Sequence, residues 1–314
     1  MLKNVVLERM HRLINGADVF DDIQVFIKQE PHKLRKIEEG RFRLISGVSF
    51  VDGIIDRIVF GWLADAAMNA IGQTPALLGW NPLFGGDRLL FSKIQAPFFS
   101  LDKSLWDWTV PAWLVDLWLQ FILGLYHDMP EWLELLIVKR FNILFAKSRF
   151  RFPDGCVIEQ KFSGIMKSGC FLTILLNSVG QYLVDRIVSY NLNIPTGEIL
   201  CYGDDTIQEV PDNVENYISA VRALGFLPKD PIVSNVAEFV GFVMDGRKVI
   251  PAYYKKHLYN LRHLDEKVAE ATLENYQILY ADSEELLPVI QAELTQRNPT
   301  RVIPRVALQR VVRG

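Results

Sequence analysis

Residues 198–210, EILCYGDDTIQEV, constrain the fold more than any other segment of the chain. Apolar, strand-forming residues flank a Gly-Asp pair, which is the pattern of a β-hairpin with a tight turn. It predicts a hairpin turning at Gly203 and Asp204, with Asp204 and Asp205 at the tip. Asp is a favoured turn residue, so this segment taken alone is read first as a solvated turn.

A second segment gives that tip a partner. Residues 94–101, IQAPFFSL, read as a strand that ends at Asp102, with Pro97 arguing for an edge position or an irregularity. If the two strands are neighbours in one sheet, Asp102 and Asp204 converge. Asp107 follows between Trp106 and Trp108, where an unpaired charge is costly and a counter-charge is expected. Clustered carboxylates on rigid elements suit phosphoryl transfer, in which two divalent ions roughly 4 Å apart neutralise the attacking and leaving oxygens. Mg²⁺ fits such a site because it needs few protein carboxylates and keeps positions for phosphate and water.

The remaining pattern is scaffold. Apolar residues recur at helical spacing over 53–71, with Asp52 as N-cap and Gly72 as stop. Helices are also predicted over 111–127 and 173–189, and the region beyond Pro251 reads as helical. The last nineteen residues hold five Arg and no acid, a basic tail that suits either an irregular segment or an RNA contact. At 314 residues the chain is long enough for two or more domains. Its net charge of −3 excludes a histone-like polycation, so any nucleic-acid surface is a local patch. One such patch is 27–45, IKQEPHKLRKIEEGRFRLI, which carries a net +3 and is broken by Pro31 and Gly40. It is read as an extended loop or hairpin, and by itself it is equally a solvated charged face.

Three cysteines with no CxxC pair argue against a disulfide framework, and five scattered histidines against a structural zinc site. The charged N-terminus is not a signal peptide. The longest uncharged stretch, 168–184, is shorter than a membrane span and contains Asn177 and Gln181.

Four segments stand in order along the chain: the basic block 28–43, DKSLWD at 102–107, SGIMKSGCFLTILLNS at 163–178, and YGDD at 202–205. Each alone is moderately specific, whereas the ordered set is highly specific. The set resembles the viral RNA-dependent RNA polymerases, most closely those of sobemoviruses and related sobemo-like and polerovirus-type viruses, over roughly residues 27–242. The family usually has a longer region before the basic block, where this sequence has 27 residues.

The resemblance implies an α+β, right-hand polymerase with an antiparallel palm sheet backed by helices. Fingers are expected from 1–91 and 113–177, palm from 92–112 and 178–250, and thumb with the basic tail from 251–314. It implies that Asp102, Asp204 and Asp205 hold two Mg²⁺ (or Mn²⁺) ions, with Asp204 the better direct ligand. Asp107 and Asn177 would select the ribose 2′-OH. Ser168, Gly169 and Thr173 would form the flexible loop at the nucleotide. Lys28, Lys33, Lys36, Arg41 and Arg43 would line the channel of the entering nucleotide, with Arg43 on the triphosphate. Lys229 would protonate the leaving pyrophosphate, and EFVGF at 238–242 would grip the primer strand.

The implied partners are template and product RNA, ribonucleoside triphosphates, and a protein primer or other viral replication proteins. The implied setting is the host cytoplasm, in membrane-associated replication complexes. Two rivals remain at this stage: a reverse transcriptase, and a non-catalytic RNA-binding protein on a polymerase scaffold. Asp107 and Asn177 argue against the first, because a DNA-making enzyme should block the 2′-OH. The retained acids argue against the second.

Overall fold

The computed structural model describes residues 1–314. In chain order the elements are α1 (Leu2–Ile14), β1 (Ile23–Ile27), α2 (Leu34–Glu38), β2 (Leu44–Gly47), α3 (Phe50–Asn69), α4 (Gly86–Lys93) and β3 (Phe98–Ser100). There follow α5 (Trp106–Thr109), α6 (Ala112–Gly124), α7 (Glu131–Phe145), β4 (Arg149–Arg151), β5 (Val157–Glu159) and α8 (Thr173–Leu192). The chain continues through β6 (Ile199–Tyr202), β7 (Asp205–Glu209), α9 (Val214–Ala223), β8 (Ile232–Ser234), β9 (Ala237–Phe239), β10 (Phe242–Met244) and β11 (Val249–Pro251). It ends with α10 (Tyr254–Arg262), α11 (Ala269–Leu279), α12 (Leu286–Arg297) and α13 (Arg305–Arg313).

The central sheet has the order β6-β7-β3-β8, and every pair in it is antiparallel. Side-chain alternation along its strands sends successive residues to opposite faces. Phe98 joins Leu200 and Ile207 in one buried cluster, while Phe99 joins Trp106 and Tyr217 in another. The sheet is therefore buried on both faces. Helices α8 and α9 cover one of them: Tyr217 of α9 and Gln208 of β7 both donate to the Asp185 carboxylate of α8, at 2.7 and 3.2 Å.

Two further sheets, of four and three strands, accompany this one. The first has the order β2-β1-β4-β5, with β1 and β4 parallel, and the second is the antiparallel sheet β11-β10-β9.

The structure corrects several sequence expectations in detail. The 94–101 strand is only three residues long and starts after Pro97. It runs between β7 and β8, so it is an interior strand, and the proline escapes conflict by preceding the ladder. Ser49, not Asp52, caps α3, and its hydroxyl accepts from the Asp52 amide at 3.2 Å. Asp52 is instead buried and takes Arg9 and Arg140 on its carboxylate, because a buried acid needs cationic partners more than a helix end needs that cap. The 27–45 block does form hairpin arms, β1 and β2, but its tip holds the short helix α2. The Arg-rich tail runs from the end of α12 into α13, which docks Leu308 and Val312 beside Trp80 and Leu83. No helix is long and apolar enough to cross a membrane.

Candidate active site

The hairpin tip is built as the sequence pattern predicts. Tyr202 pairs with Asp205, leaving Gly203 and Asp204 as the two turn residues. Gly203 takes φ +63° and Asp204 does not, the pattern of a type II′ turn with glycine first. Helix α8 supports the tip from below. Ser178 Oγ accepts from the Gly203 amide at 2.8 Å, and Gln181 Nε2 donates to the Asp204 carbonyl at 3.1 Å.

Asp102 reaches the same end of the sheet. Phe98 pairs with Glu209 and Phe99 with Gln208, and this register carried forward sets Asp102 opposite Asp205. The Thr206 hydroxyl donates to the Leu101 carbonyl at 3.3 Å along that line. Asp205 touches solvent, yet the protein crowded around it pushes its carboxyl up to about 6, helped by the charges of Asp204 and Asp102. Lys229 sits on Asp102 twice: its amide donates to the Asp102 carbonyl at 2.8 Å and its ammonium is ion-paired with the carboxylate. No three side chains of His, Cys, Asp or Glu are gathered closely enough to make a ready-formed metal cluster. The donor set nonetheless fits Mg²⁺, since all three groups are hard carboxylate oxygens at one end of neighbouring strands.

Asp107 lies in α5, and Asn177 of α8 donates to its Oδ1 at 2.9 Å. Burial pushes Asp107 up to about 6. The Asn177 hydrogen bond opposes that rise, the charge of Asp204 adds to it, and Arg43 opposes it. The same carboxyl thus feels the hairpin tip and the basic block together. Asn177 is 4% exposed and its Oδ1 is a buried acceptor with no partner.

The loop before α8 is seated between α5 and β2. Met166 N donates to the Asp107 carbonyl at 2.8 Å, and Ser168 Oγ accepts from Ser46 N at 3.2 Å. A Cβ on Gly169 would stand 2.4 Å from the Ser46 carbonyl oxygen, so only glycine permits this approach. The Thr173 hydroxyl is spent on the carbonyls of Lys167 and Cys170, both at 2.8 Å, so in this conformation it braces the loop.

Lys28 and Arg43 face each other across the continuing β1–β2 hairpin, where Lys28 N donates to the Arg43 carbonyl at 2.8 Å. Lys33, Lys36 and Arg41 are exposed at the α2 tip, and Arg41 is ion-paired with Glu39. No hydrogen bond or ion pair of these three reaches the aspartates. Of the five basic residues, Arg43 is the one whose charge reaches Asp107, and Lys28 joins it on Glu30.

Sequence reasoning missed the buried supports. Lys103 is 6% exposed and donates to Gln181 Oε1 at 2.6 Å, and burial pushes its ammonium down to about 8 against the charges of Asp102 and Asp204. Lys167 is fully buried beneath the loop and donates to Gln160 Oε1 at 2.6 Å, with burial pushing it down to about 7. A lysine beside two motif residues was the available signal, but its inward direction depends on the tertiary fold.

A family model described as viral RNA-dependent RNA polymerase matches residues 3–229. The chain belongs to the viral RNA-dependent RNA polymerases. Among its relatives, the replicase polyprotein P2AB of Southern bean mosaic virus is 32% identical over 67% of this chain and 23% of the polyprotein. The RNA-directed RNA polymerase of Mushroom bacilliform virus is 28% identical over 64% of this chain and 50% of that protein. The chain thus spans about a quarter to a half of the length of these relatives. Among solved structures, the Sicinivirus 3Dpol RNA-dependent RNA polymerase superposes with a TM-score of 0.69. That match covers 96% of this chain and 69% of the other at 18% identity. The viral polymerase fold, with its antiparallel sheet backed by helices, follows from this likeness.

Proposed function

We propose that this chain catalyses template-directed RNA synthesis in the replication of a viral positive-strand RNA genome. A nucleoside monophosphate passes from a ribonucleoside triphosphate to an RNA 3′-OH: the 3′-oxygen bonds to the α-phosphorus, and the bond to the bridging oxygen breaks with release of pyrophosphate. The observation that carries this reading is the meeting of four sequence-distant segments at one sheet end. Asp102 and Asp205 stand opposite in register, Asp204 sits at the tip, Asp107 is hydrogen-bonded by Asn177, and Arg43 acts on Asp107.

In this reading Asp102, Asp204 and Asp205 hold two Mg²⁺ or Mn²⁺ ions. Bound there, such ions supply charge neutralisation to the attacking and leaving oxygens. The Asp107–Asn177 pair positions a hydrogen-bond acceptor for the ribose 2′-OH, the group that separates RNA precursors from DNA precursors. That pairing favours an RNA polymerase over a reverse transcriptase. Arg43 and Lys28 neutralise the triphosphate by charge-assisted hydrogen bonds. Lys33, Lys36 and Arg41 extend the basic surface along the channel. Ser168, Gly169 and Thr173 shape the loop on which nucleotide and template rest. Lys229 leaves Asp102 and donates a proton to pyrophosphate.

We assign residues 92–112 and 178–250 to the palm, 1–91 and 113–177 to the fingers, and 251–314 to the thumb. The β9–β10 hairpin, which turns at Val240 and Gly241, serves as the primer grip. The partners are template and product RNA, ribonucleoside triphosphates and other replication proteins of the virus, in membrane-associated complexes of the host cytoplasm. The test is addition to an annealed RNA primer–template with each ribonucleotide offered singly. Only the nucleotide complementary to the template base should be added, and equal addition of all four would contradict the proposal.

A further inference from the structure

Glu30 stands just past the end of β1 and is the acid that Lys28 and Arg43 of the basic block share. Its side chain is 10% exposed and three cations converge on it. Lys256 Nζ lies 2.8 Å from Oε2, Lys28 Nζ 3.5 Å from Oε2, and Arg43 Nη1 3.4 Å from Oε1. Partial burial works against ionisation of Glu30, but the hydrogen bond from Lys256 and the charges of Lys256, Lys28 and Arg43 outweigh it and hold the carboxyl down at about 2.

Lys256 comes from α10, in the C-terminal region. The start of that helix abuts the acidic end of the sheet: a Cβ on Gly241 would touch the Tyr253 ring at 3.1 Å, and burial with the charges of Asp205, Glu238 and Asp102 raises the Tyr253 hydroxyl. His257, the next residue, is hydrogen-bonded to the Tyr280 hydroxyl at 2.7 Å, which fixes α10 on α11. Lys256 is therefore held over the basic hairpin by its own helix rather than by Glu30 alone.

One carboxylate cannot balance three cations. The cluster carries two surplus positive charges, and the side chains of Lys28, Arg43 and Lys256 are 41, 65 and 43% exposed, open to an anion. A triphosphate offers more acceptor oxygens and more charge than a carboxylate, and cations prefer it for both reasons. We propose that Lys256 is a further triphosphate-binding residue, contributed by the C-terminal helix, and that Glu30 is an internal anion which holds the three cations together until a triphosphate displaces it. The proposal rests on the polymerase reading, which makes Arg43 and Lys28 the triphosphate cradle.

The test is calorimetric titration of the full chain with inorganic tripolyphosphate, beside steady-state extension of an RNA primer–template. Lys256→Gln should weaken tripolyphosphate binding roughly two- to five-fold, the range expected for a half-exposed charge pair, and raise the nucleotide KM by the same factor with kcat unchanged. Lys256→Arg should restore both. Glu30→Gln should tighten tripolyphosphate binding by a similar factor, and all of these differences should shrink as salt is raised. Equal affinities in parent and Lys256→Gln, or weaker binding in Glu30→Gln, would overturn the proposal. If affinities are equal while the parent extends RNA, the inference fails and the polymerase reading stands. If affinities shift as stated and the parent adds no nucleotide, the anion exchange is upheld and the polymerase reading fails.

Discussion

Replacing Asn177 by Ala removes the one side-chain hydrogen bond that Asp107 receives. The Asp107 carboxyl already sits at about 6, raised by burial and restrained by this bond. A hydrogen bond to a charged group is worth about 1.5–3 kcal/mol, and partial exposure of Asp107 places it at the lower end. At about 1.4 kcal/mol per tenfold change, its loss raises the proton affinity of the carboxyl further, by roughly tenfold. At neutral pH a larger share of the variant molecules than of the parent then holds a protonated Asp107, which accepts poorly from a 2′-OH. Preference for ribonucleotides over deoxyribonucleotides should fall about tenfold near pH 7, because the orienting amide is lost as well. The assay is the ratio of kcat/KM for a matched ribonucleotide and deoxyribonucleotide at pH 6, 7 and 8. In the parent this preference rises through about pH 6, and in the variant the rise moves to higher pH. An unchanged ratio, or coincident pH profiles, would refute the role given to the Asp107–Asn177 pair.

Gly169→Ala should lower extension activity at least tenfold and cost about 1–3 kcal/mol in stability, since its Cβ would meet the Ser46 carbonyl and force the loop off β2; parent-like turnover would contradict this. Gly180→Ala places a methyl 3.0 Å from Trp118 and 3.1 Å from Trp106, and should cost about 1–3 kcal/mol in denaturant unfolding. An unchanged midpoint would show that the two indoles yield. Asp205 is held above its ordinary range, so the folded state binds that proton more tightly than the unfolded state does. Without divalent ions, stability therefore falls as pH rises from about 4 to about 6. Mn²⁺ binding requires the ionised form, so its affinity should rise about tenfold from pH 5 to pH 7 in a thermal-shift titration. A flat profile would remove Asp205 from the metal site.

Much of this arrangement was legible in the chain because its signals are local. The turn at Gly203 and Asp204 follows from a two-residue dipeptide between strand-forming runs, and the helix carrying Asn177 follows from apolar spacing. What was not legible depends on partners far away in sequence. The inward turn of Lys103 toward Gln181 spans 78 residues, and the contact of Glu30 with Lys256 spans 226. Neither lysine differs from a surface lysine until the fold is known. The cap of α3 was misassigned because Ser49 and Asp52 are equally good caps locally, and the buried Arg140 claims the acid. Pro97 suggested an edge strand because its register relative to the ladder is not visible in sequence; one residue further on, the ladder begins.

The central claim is that the carboxylates at the hairpin tip serve nucleotidyl transfer. It is tested most directly by single-nucleotide extension of an annealed RNA primer–template, run with Mg²⁺ and with Mn²⁺, for the parent and Asp204→Asn side by side. The account predicts templated addition by the parent and loss of at least a hundredfold in the variant, with both proteins showing the same unfolding midpoint to within a few degrees. Equal addition by the two would place the chemistry elsewhere and contradict the account.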